Sequence, residues 1–232
     1  MTNVYDVKKY AEFSKKSFSW KYLEGKILEE KLRGLINKDL TVIEAGCGDG
    51  RLVKLMVELG IKPKDIIGID LSDYLLEEAR KDLPEVRWIE GSIADDFEIK
   101  EGVTDLVTCS MVLNYLNNKE LEKFLKNCNK WLKEEGWLLI AIPHPIRMTI
   151  QNLDEYFDRK KRTNDAFWGE KVIYFHRTVA DYLNKIIEGG FEIKEIIEPE
   201  LSEKGKEEDK ILNQGKYAAC PMRLVIMARK CL

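Results

Sequence analysis

The sequence lacks the residues and segments that mark several large classes of protein. Its 232 residues include five cysteines, an odd number with no Cys-x-x-Cys pair, which argues against a disulfide framework and a zinc site. The longest apolar run, residues 137–142, is far too short to span a membrane. Residues 1–10 contain no apolar segment of the kind found in signal peptides. We therefore expect a cytoplasmic protein with reduced thiols and no membrane partner.

An excess of basic residues is also missing. The chain has 38 Lys and Arg against 41 Asp and Glu, for a net charge of −3. Nucleic-acid-binding proteins usually carry a basic face, so this balance disfavours a nucleic-acid partner. An apolar content of 44% and a charged content of 34% are typical of globular proteins. The length predicts one domain, residues 1–232, with a large core.

A strand, a glycine turn and a helix are predicted between residues 40 and 60. Residues 40–43 are apolar and rich in β-branched side chains, as in buried strands. Gly46, Gly48 and Gly50 follow, and apolar residues then recur at helical spacing up to Gly60. Glycines there let a ligand approach the backbone, close to the first free amides of the helix. The alternative is a tight turn in a domain that binds no nucleotide.

A second predicted strand, residues 66–70, ends in Asp70. An acid at this position is well placed to accept hydrogen bonds from both ribose hydroxyls of a nucleoside. The pattern Glu44-x-Gly-x-Gly-x-Gly followed by Asp70 resembles the class I S-adenosylmethionine-dependent methyltransferases. That resemblance implies S-adenosylmethionine as cofactor and S-adenosylhomocysteine as product. Arg51 stands where the dinucleotide fingerprint requires glycine, which counts against a nicotinamide dehydrogenase.

The alternation of strands and helices predicts an α/β fold with a doubly wound, mostly parallel sheet. The resemblance implies a Rossmann-like sheet of seven strands with an antiparallel last strand. Residues 191–197 and 223–228 are the predicted final hairpin, and we expect the charged connection between them to be an irregular loop. Residues 1–36 form a predicted helical N-terminal cap, and residues 143–176 a lid or substrate insertion.

The resemblance implies a role for each of eleven cofactor-binding residues. Glu44 would orient the methionine ammonium and Asp70 would hold the ribose, while Leu71 and Ile93 would enclose the adenine with Ser92 beside it. Asp95 or a backbone amide is an alternative adenine contact. The remaining residues would shape the glycine turn or lie beside the methionine: Gly46, Cys47, Gly48, Gly50, Cys109 and Ser110.

Predicted acceptor-binding residues come from the N-terminal cap, the loop after strand four and the insertion: Tyr10, Trp20, Asn114, Tyr115, His144 and Trp168. For each aromatic residue the alternative is packing of a helix onto the sheet. His176 is the predicted catalytic base, because histidine is the side chain most often tuned for proton transfer near neutral pH. The alternatives are a hydrogen bond at a helix entry for His176 and a structural turn role for His144.

The predicted activity is methyl transfer to an oxygen or nitrogen nucleophile of a small molecule. No Asn-Pro-Pro-Tyr or Asp-Pro-Pro-Tyr motif follows strand four, which disfavours methylation of nucleic-acid amino groups. A tRNA or protein methyltransferase, a nicotinamide enzyme of similar fold and a non-catalytic S-adenosylmethionine-binding protein stay open as alternatives. The sequence decides neither the acceptor nor the choice between a monomer and a homodimer.

Overall fold

The structure is a computed structural model that describes residues 6–35, 39–166 and 168–231. Within these ranges, no helix is both long enough and apolar enough to cross a membrane. Residues 1–5 and 36 of the predicted N-terminal cap lie outside the described residues. The described part of this cap consists of helix α1 (Val7–Ser14), a π-helical turn (Trp20–Glu24) and helix α2 (Gly25–Leu35).

Strands and helices alternate along much of the rest of the chain, as the sequence predicts. Their bounds are β1 Val42–Ala45, α3 Arg51–Glu58, β2 Ile66–Asp70, α4 Asp73–Asp82, β3 Arg87–Glu90, β4 Thr104–Ser110, α5 Asn118–Trp131, β5 Leu132–Pro143, β6 Lys161–Asp165, β7 Lys171–Phe175, α6 Val179–Glu188, β8 Phe191–Ile197, α7 Glu203–Asn213 and β9 Arg223–Lys230. Single 3-10 turns lie at Pro63–Asp65, Leu113–Tyr115, Arg147–Thr149 and Leu153–Phe157.

Seven strands form one sheet in the order β3-β2-β1-β4-β5-β9-β8. The pairings among β1 to β5 are parallel, whereas β9 runs antiparallel to both β5 and β8. This topology confirms the predicted Rossmann-like sheet with an antiparallel last strand. The chain order reverses between β1 and β4, where open α/β sheets have the crevice that holds ligands.

The core lies on both faces of the sheet because successive strand residues point in opposite directions. Val42 and Leu106 belong to the apolar cluster that includes helices α2 and α3. Their neighbours Ile43 and Val107 belong to the cluster on the other face, which includes the fully buried ring of Phe124 from α5. Helices therefore cover both faces of the central strands and leave the strand ends to form the crevice.

The predicted insertion contains two 3-10 turns and the antiparallel hairpin β6–β7. Trp168 lies in the turn of this hairpin, with its ring centroid 5.3 Å from that of Tyr10 and 5.6 Å from that of Phe13 in α1. Glu170 accepts hydrogen bonds from the Asp6 amide at 2.6 Å and from Lys9 at 2.9 Å. The hairpin and helix α1 therefore contact each other directly.

The Ser19 hydroxyl, just before the π-helical turn, donates to the Glu24 carboxylate at 2.9 Å. One local prediction from the sequence is wrong. The connection between β8 and β9 is not an irregular loop, since it contains α7. Asp209 of α7 is fully buried and accepts hydrogen bonds from the Tyr217 and Ala218 amides, so the charged run has one buried face.

Candidate functional site

The glycine turn after β1 takes a backbone conformation that other residues rarely adopt. Gly46, Gly48 and Gly50 have φ angles of 79°, 55° and 77°. The Gly46 amide donates to the Ile69 carbonyl at 2.7 Å, which ties the turn to β2. A Cβ atom on Gly46 would lie 2.2 Å from Cγ2 of Val112, so a larger residue would clash with the loop after β4. The turn therefore requires glycine for its backbone shape and for its spacing from that loop.

Asp70 at the end of β2 holds the turn and the start of the next helix together. Its Oδ2 accepts from the Gly48 amide at 2.8 Å, and its Oδ1 accepts from the Ser72 amide at 2.9 Å. Burial raises the pKa of this carboxyl above its ordinary value, although the backbone hydrogen bonds act against the shift. Each carboxylate oxygen has a second lone pair, so Asp70 can also accept hydrogen bonds from hydroxyl groups in the crevice.

Glu44 is a buried acid in the middle of β1. Its side chain accepts a hydrogen bond from the Thr108 hydroxyl of β4. Burial, together with the nearby negative charge of Asp70, raises the pKa of Glu44 well above its ordinary value. A cation in the adjoining crevice would favour the ionised carboxylate, because opposite charges stabilise each other strongly where water is excluded.

Two cavities meet at the carboxyl ends of β1 and β4. The first has a volume of about 140 Å³ and is lined by Asp70, Leu71, Ser92 and Ile93. The second, of about 160 Å³, lies between α1, the π-helical turn and the inserted hairpin, and it includes Trp20 and Trp168. The residues that line both cavities are Tyr10, Gly46, Gly48, Ser110, Met111 and Tyr115. The crevice is therefore one continuous site with two compartments.

Met111 stands at the junction of the compartments with an unusual backbone. Its φ angle is 64°, and its amide donates to the Ala141 carbonyl of β5 at 2.7 Å. Non-glycine residues with positive φ are uncommon and tend to lie at functional sites. Met111 directly follows β4, so its backbone conformation sets the direction in which the chain leaves the sheet towards the Leu113–Tyr115 turn.

Comparison with known proteins indicates the class of protein to which this domain belongs. Residues 42–136 match the methyltransferase domain family. A Listeria monocytogenes structure assigned as an S-adenosylmethionine-dependent methyltransferase is 27% identical, with a TM-score of 0.71, over 90% of this chain and all of that one. Residues 42–136 therefore form a methyltransferase domain, and the activity is that of an S-adenosylmethionine-dependent methyltransferase.

Other similar proteins include one from Mesorhizobium loti, solved as an S-adenosylmethionine-dependent methyltransferase. It is 23% identical with a TM-score of 0.73, and the match covers 92% of this chain and 98% of that one. At this identity the likeness shows the fold alone. An uncharacterised Haemophilus influenzae protein is 27% identical over 72% of each chain. The trans-aconitate 2-methyltransferase of an Azoarcus species is 26% identical over 57% of this chain and 47% of its own.

The residues of the first compartment fit the cofactor of this methyltransferase. Its polar end presents Asp70 and the Gly48 amide, which suit ribose hydroxyls, while its apolar end presents Leu71 and Ile93 to a flat ring. Ser92 lines this compartment. The Asp95 carboxylate instead accepts a hydrogen bond from the Ser92 amide at 2.9 Å. When bound, the cofactor supplies an activated methyl group, and the residues named here would hold and orient it.

Most of the predicted site residues of the methyltransferase meet at the crevice, and their individual roles stay predictions. Glu44 and Cys47 line the second compartment together with Trp20, Asn114 and Trp168. Two of the predicted cofactor residues do not line either compartment. Gly50 lies against Trp88 and Ala79, where an added Cβ would be 3.0 and 3.1 Å from their atoms. Cys109 is buried in the core cluster behind β4.

Neither histidine lines the crevice. Nδ1 of His144 accepts from the Ile146 amide at 3.1 Å, and its Nε2 lies 2.7 Å from Oε1 of Glu198. Nε2 of His176 lies 2.9 Å from the Tyr156 carbonyl oxygen, at a separate surface depression beside Arg159. Burial lowers the pKa of both rings below the ordinary value. The catalytic role of His176 stays a prediction, and this position favours a structural role.

The sequence analysis missed a group of charged residues in the second compartment. Arg223 and Glu24 form a buried ion pair, with Nε 2.9 Å from Oε2, and Arg223 also donates to the Ser19 hydroxyl at 2.7 Å. Arg147 follows β5 and lines the same compartment. Residues 24 and 223 are far apart in sequence, so no local pattern indicates their pairing. Only Arg147 carried a signal, since it lies just beyond a predicted strand end.

Proposed function

We propose that this methyltransferase transfers the methyl group of S-adenosylmethionine to an oxygen or nitrogen nucleophile of a small molecule. The observation that carries the proposal is the second compartment, which adjoins the cofactor compartment through shared residues and is roofed by α1 and the inserted hairpin. The compartment has a volume of about 160 Å³.

The walls of this compartment suit a transfer that depends on alignment. The Trp168 ring packs against the rings of Tyr10 and Phe13 in its wall, and such an apolar wall would exclude water from the transferring methyl group. The described residues that line it include no histidine or lysine. We therefore infer that the chain holds the acceptor in line with the methyl group and leaves proton removal to a minor role.

The names of two similar proteins support a small acceptor. One is the trans-aconitate 2-methyltransferase already described. The other is phosphoethanolamine N-methyltransferase 1 of Triticum aestivum, which is 30% identical over 43% of this chain and 20% of its own. Both names give a small-molecule acceptor. The first name does not state the element that is methylated, whereas the second states nitrogen. The chain matches less than half of either protein, so the acceptor of this methyltransferase is a separate question.

Label transfer to fractionated acceptors tests the proposal. Methyl-labelled S-adenosylmethionine is incubated with the protein and with small-molecule, tRNA and protein fractions of a cell extract. We expect label in the small-molecule fraction, with the protein boiled beforehand as control. Label in tRNA or in protein would replace the proposal with one of those substrate classes. Cofactor binding with no label in any fraction would favour a non-catalytic binding protein.

A further inference from the structure

The second compartment contains two guanidinium groups at its inner end. Arg223 opens strand β9, and Arg147 lies four residues after the end of β5, with which β9 pairs. Both residues line the compartment. Arg223 is 4% exposed and Arg147 is half-buried, so their charges lie away from bulk water. An antiparallel strand pair thus brings two like charges to the place where the acceptor binds.

The carboxylates that line the same compartment bond to other groups. Glu24 holds Arg223 through two contacts, of 2.9 and 3.4 Å, and accepts from Ser19. Asp49 accepts from the Ser14 hydroxyl at 3.0 Å and lies 4.0 Å from Arg51. Glu44 accepts from the Thr108 hydroxyl, and Asp165 lies 3.8 Å from Lys171, so all four of the described acids that line the compartment have partners within the protein.

Arg147 is in an environment that disfavours its charge. Burial and the positive charge of Arg223 lower the pKa of Arg147 to about 10. Two tyrosines of the wall, Tyr115 and Tyr174, lie close enough for the charge of Arg147 to lower their pKa values, against the raising effect of burial. A compact anion next to Arg147 would offset both the burial of the charge and its repulsion by Arg223. The Tyr174 hydroxyl donates to the Met148 carbonyl at 3.4 Å, so it is held in the wall beside this charge.

We propose that the acceptor of this methyltransferase is a small organic anion whose carboxylate or phosphate group binds Arg147. The inference rests on the proposed small-molecule function and adds the chemical class of the acceptor. The planar guanidinium of arginine matches the two oxygens of such a group. The aromatic wall formed by Trp168, Tyr10 and Tyr174 would contact the apolar part of the same molecule.

Titration calorimetry of charged and neutral probes tests this inference. The protein is first saturated with S-adenosylhomocysteine. The probes are matched in shape and differ in charge: benzoate against benzamide, succinate against succinamide, and phenyl phosphate for the phosphate alternative. We expect at least one anion to bind about 10-fold or more tightly than its neutral amide, because hydrogen bonds to charged groups are the stronger ones. A preference for phenyl phosphate would assign the phosphate class, and one for benzoate or succinate the carboxylate class.

Substitution of Arg147 locates the anion site. We expect Arg147→Gln to weaken binding of the preferred anion by about 10- to 100-fold. The affinity of Arg147→Lys should lie between those of Arg147→Gln and the wild-type protein. The control is Arg159→Gln, which removes a surface guanidinium paired with Asp181 and leaves the anion affinity unchanged. Titration with S-adenosylhomocysteine checks that each variant is folded, because its binding compartment does not include Arg147.

Different results would refute the proposed function and the anionic acceptor. If the wild-type protein binds no S-adenosylhomocysteine, the proposed function itself is wrong. If it binds S-adenosylhomocysteine but binds amides as well as acids, or none of the anions, only the anionic acceptor is refuted. An anion that binds Arg147→Gln as tightly as the wild-type protein would also refute it, since its site would lie elsewhere.

Discussion

Replacement of Asp70 separates its contact with the cofactor from its role in the fold. In the structure Asp70 accepts from the Gly48 and Ser72 amides, so Asp70→Ala loses both of these bonds as well as any bond to ribose. Hydrogen bonds to a charged acceptor contribute about 1.5–3 kcal/mol each. We therefore expect the Kd of S-adenosylhomocysteine to rise about 10- to 150-fold in Asp70→Ala.

A fall in affinity alone would not show contact with ribose, because the glycine turn also loosens. A second ligand resolves this point: the analogue of S-adenosylhomocysteine without the two ribose hydroxyls. Wild-type protein should bind this analogue far more weakly than the parent compound. In Asp70→Ala the two compounds should bind with nearly equal Kd values, since the group that distinguishes them has been removed.

Titration calorimetry with both ligands and both proteins gives the coupling energy directly. We expect a coupling of about 1.5–3 kcal/mol between the carboxylate and the hydroxyls. A coupling near zero, with equal losses for both ligands, would refute a ribose contact and leave Asp70 as a residue that holds the turn. Asp70→Asn is a useful intermediate, because it keeps one carbonyl acceptor in a similar volume.

Four further predictions follow from other contacts of the site. Gly46→Ala should abolish S-adenosylhomocysteine binding in calorimetry, because its Cβ would meet Val112 at 2.2 Å. Cofactor binding should release a proton, because the cofactor ammonium favours the ionised form of Glu44. The affinity should therefore increase as the pH rises towards the raised pKa of Glu44. Titrations in buffers of different ionisation enthalpy measure the number of protons released. Arg177→Gln should lower the free energy of unfolding by about 3 kcal/mol, because its buried guanidinium donates to the carbonyls of the 113–116 turn; urea denaturation measures it. His176→Ala should reduce methyl transfer less than about 10-fold, whereas loss of a general base costs roughly 100-fold or more.

Each of these predictions has a control and a result that contradicts it. Gly60→Ala has the same left-handed backbone cost, with a φ of 105° and open space around its Cβ position, so it should bind normally. Proton release that persists in Glu44→Gln would assign the linkage to another group. An Arg177→Gln protein as stable as wild type would mean that solvent satisfies the freed carbonyls. A loss of roughly 100-fold or more in His176→Ala, with cofactor affinity intact, would restore His176 as the base.

The sequence predicts the parts of this fold that depend on local pattern. Apolar β-branched runs locate β1 and β2. Ser72 and Thr178, of the residue types that commonly cap helices, accept hydrogen bonds from the amides of Leu75 and Asp181. The antiparallel final strand and the cofactor class came from the family resemblance and are confirmed. The glycine turn was also predictable, because positive φ angles at a strand end leave a visible glycine spacing.

The second compartment was less predictable from the sequence, because it is built from distant parts of the chain. The Glu24–Arg223 pair joins a turn before the sheet to its last strand. Helix α7 escaped prediction because its charged residues cover three sides and only Gly205 and Asp209 are buried. His176 was predicted as a base from its residue type and its place near a helix start. The ring direction that points it towards Tyr156 is a tertiary feature without a local signal.

Titration of the protein with S-adenosylhomocysteine, with NAD as control, tests the central claim most directly. The account predicts micromolar binding of S-adenosylhomocysteine, because Gly46, Gly48, Asp70, Leu71 and Ile93 line one compartment that fits this ligand. It predicts no binding of NAD, since Arg51 stands where the dinucleotide fingerprint requires glycine. Binding of NAD in place of S-adenosylhomocysteine, or of neither, would contradict the assignment of this crevice to methyl transfer.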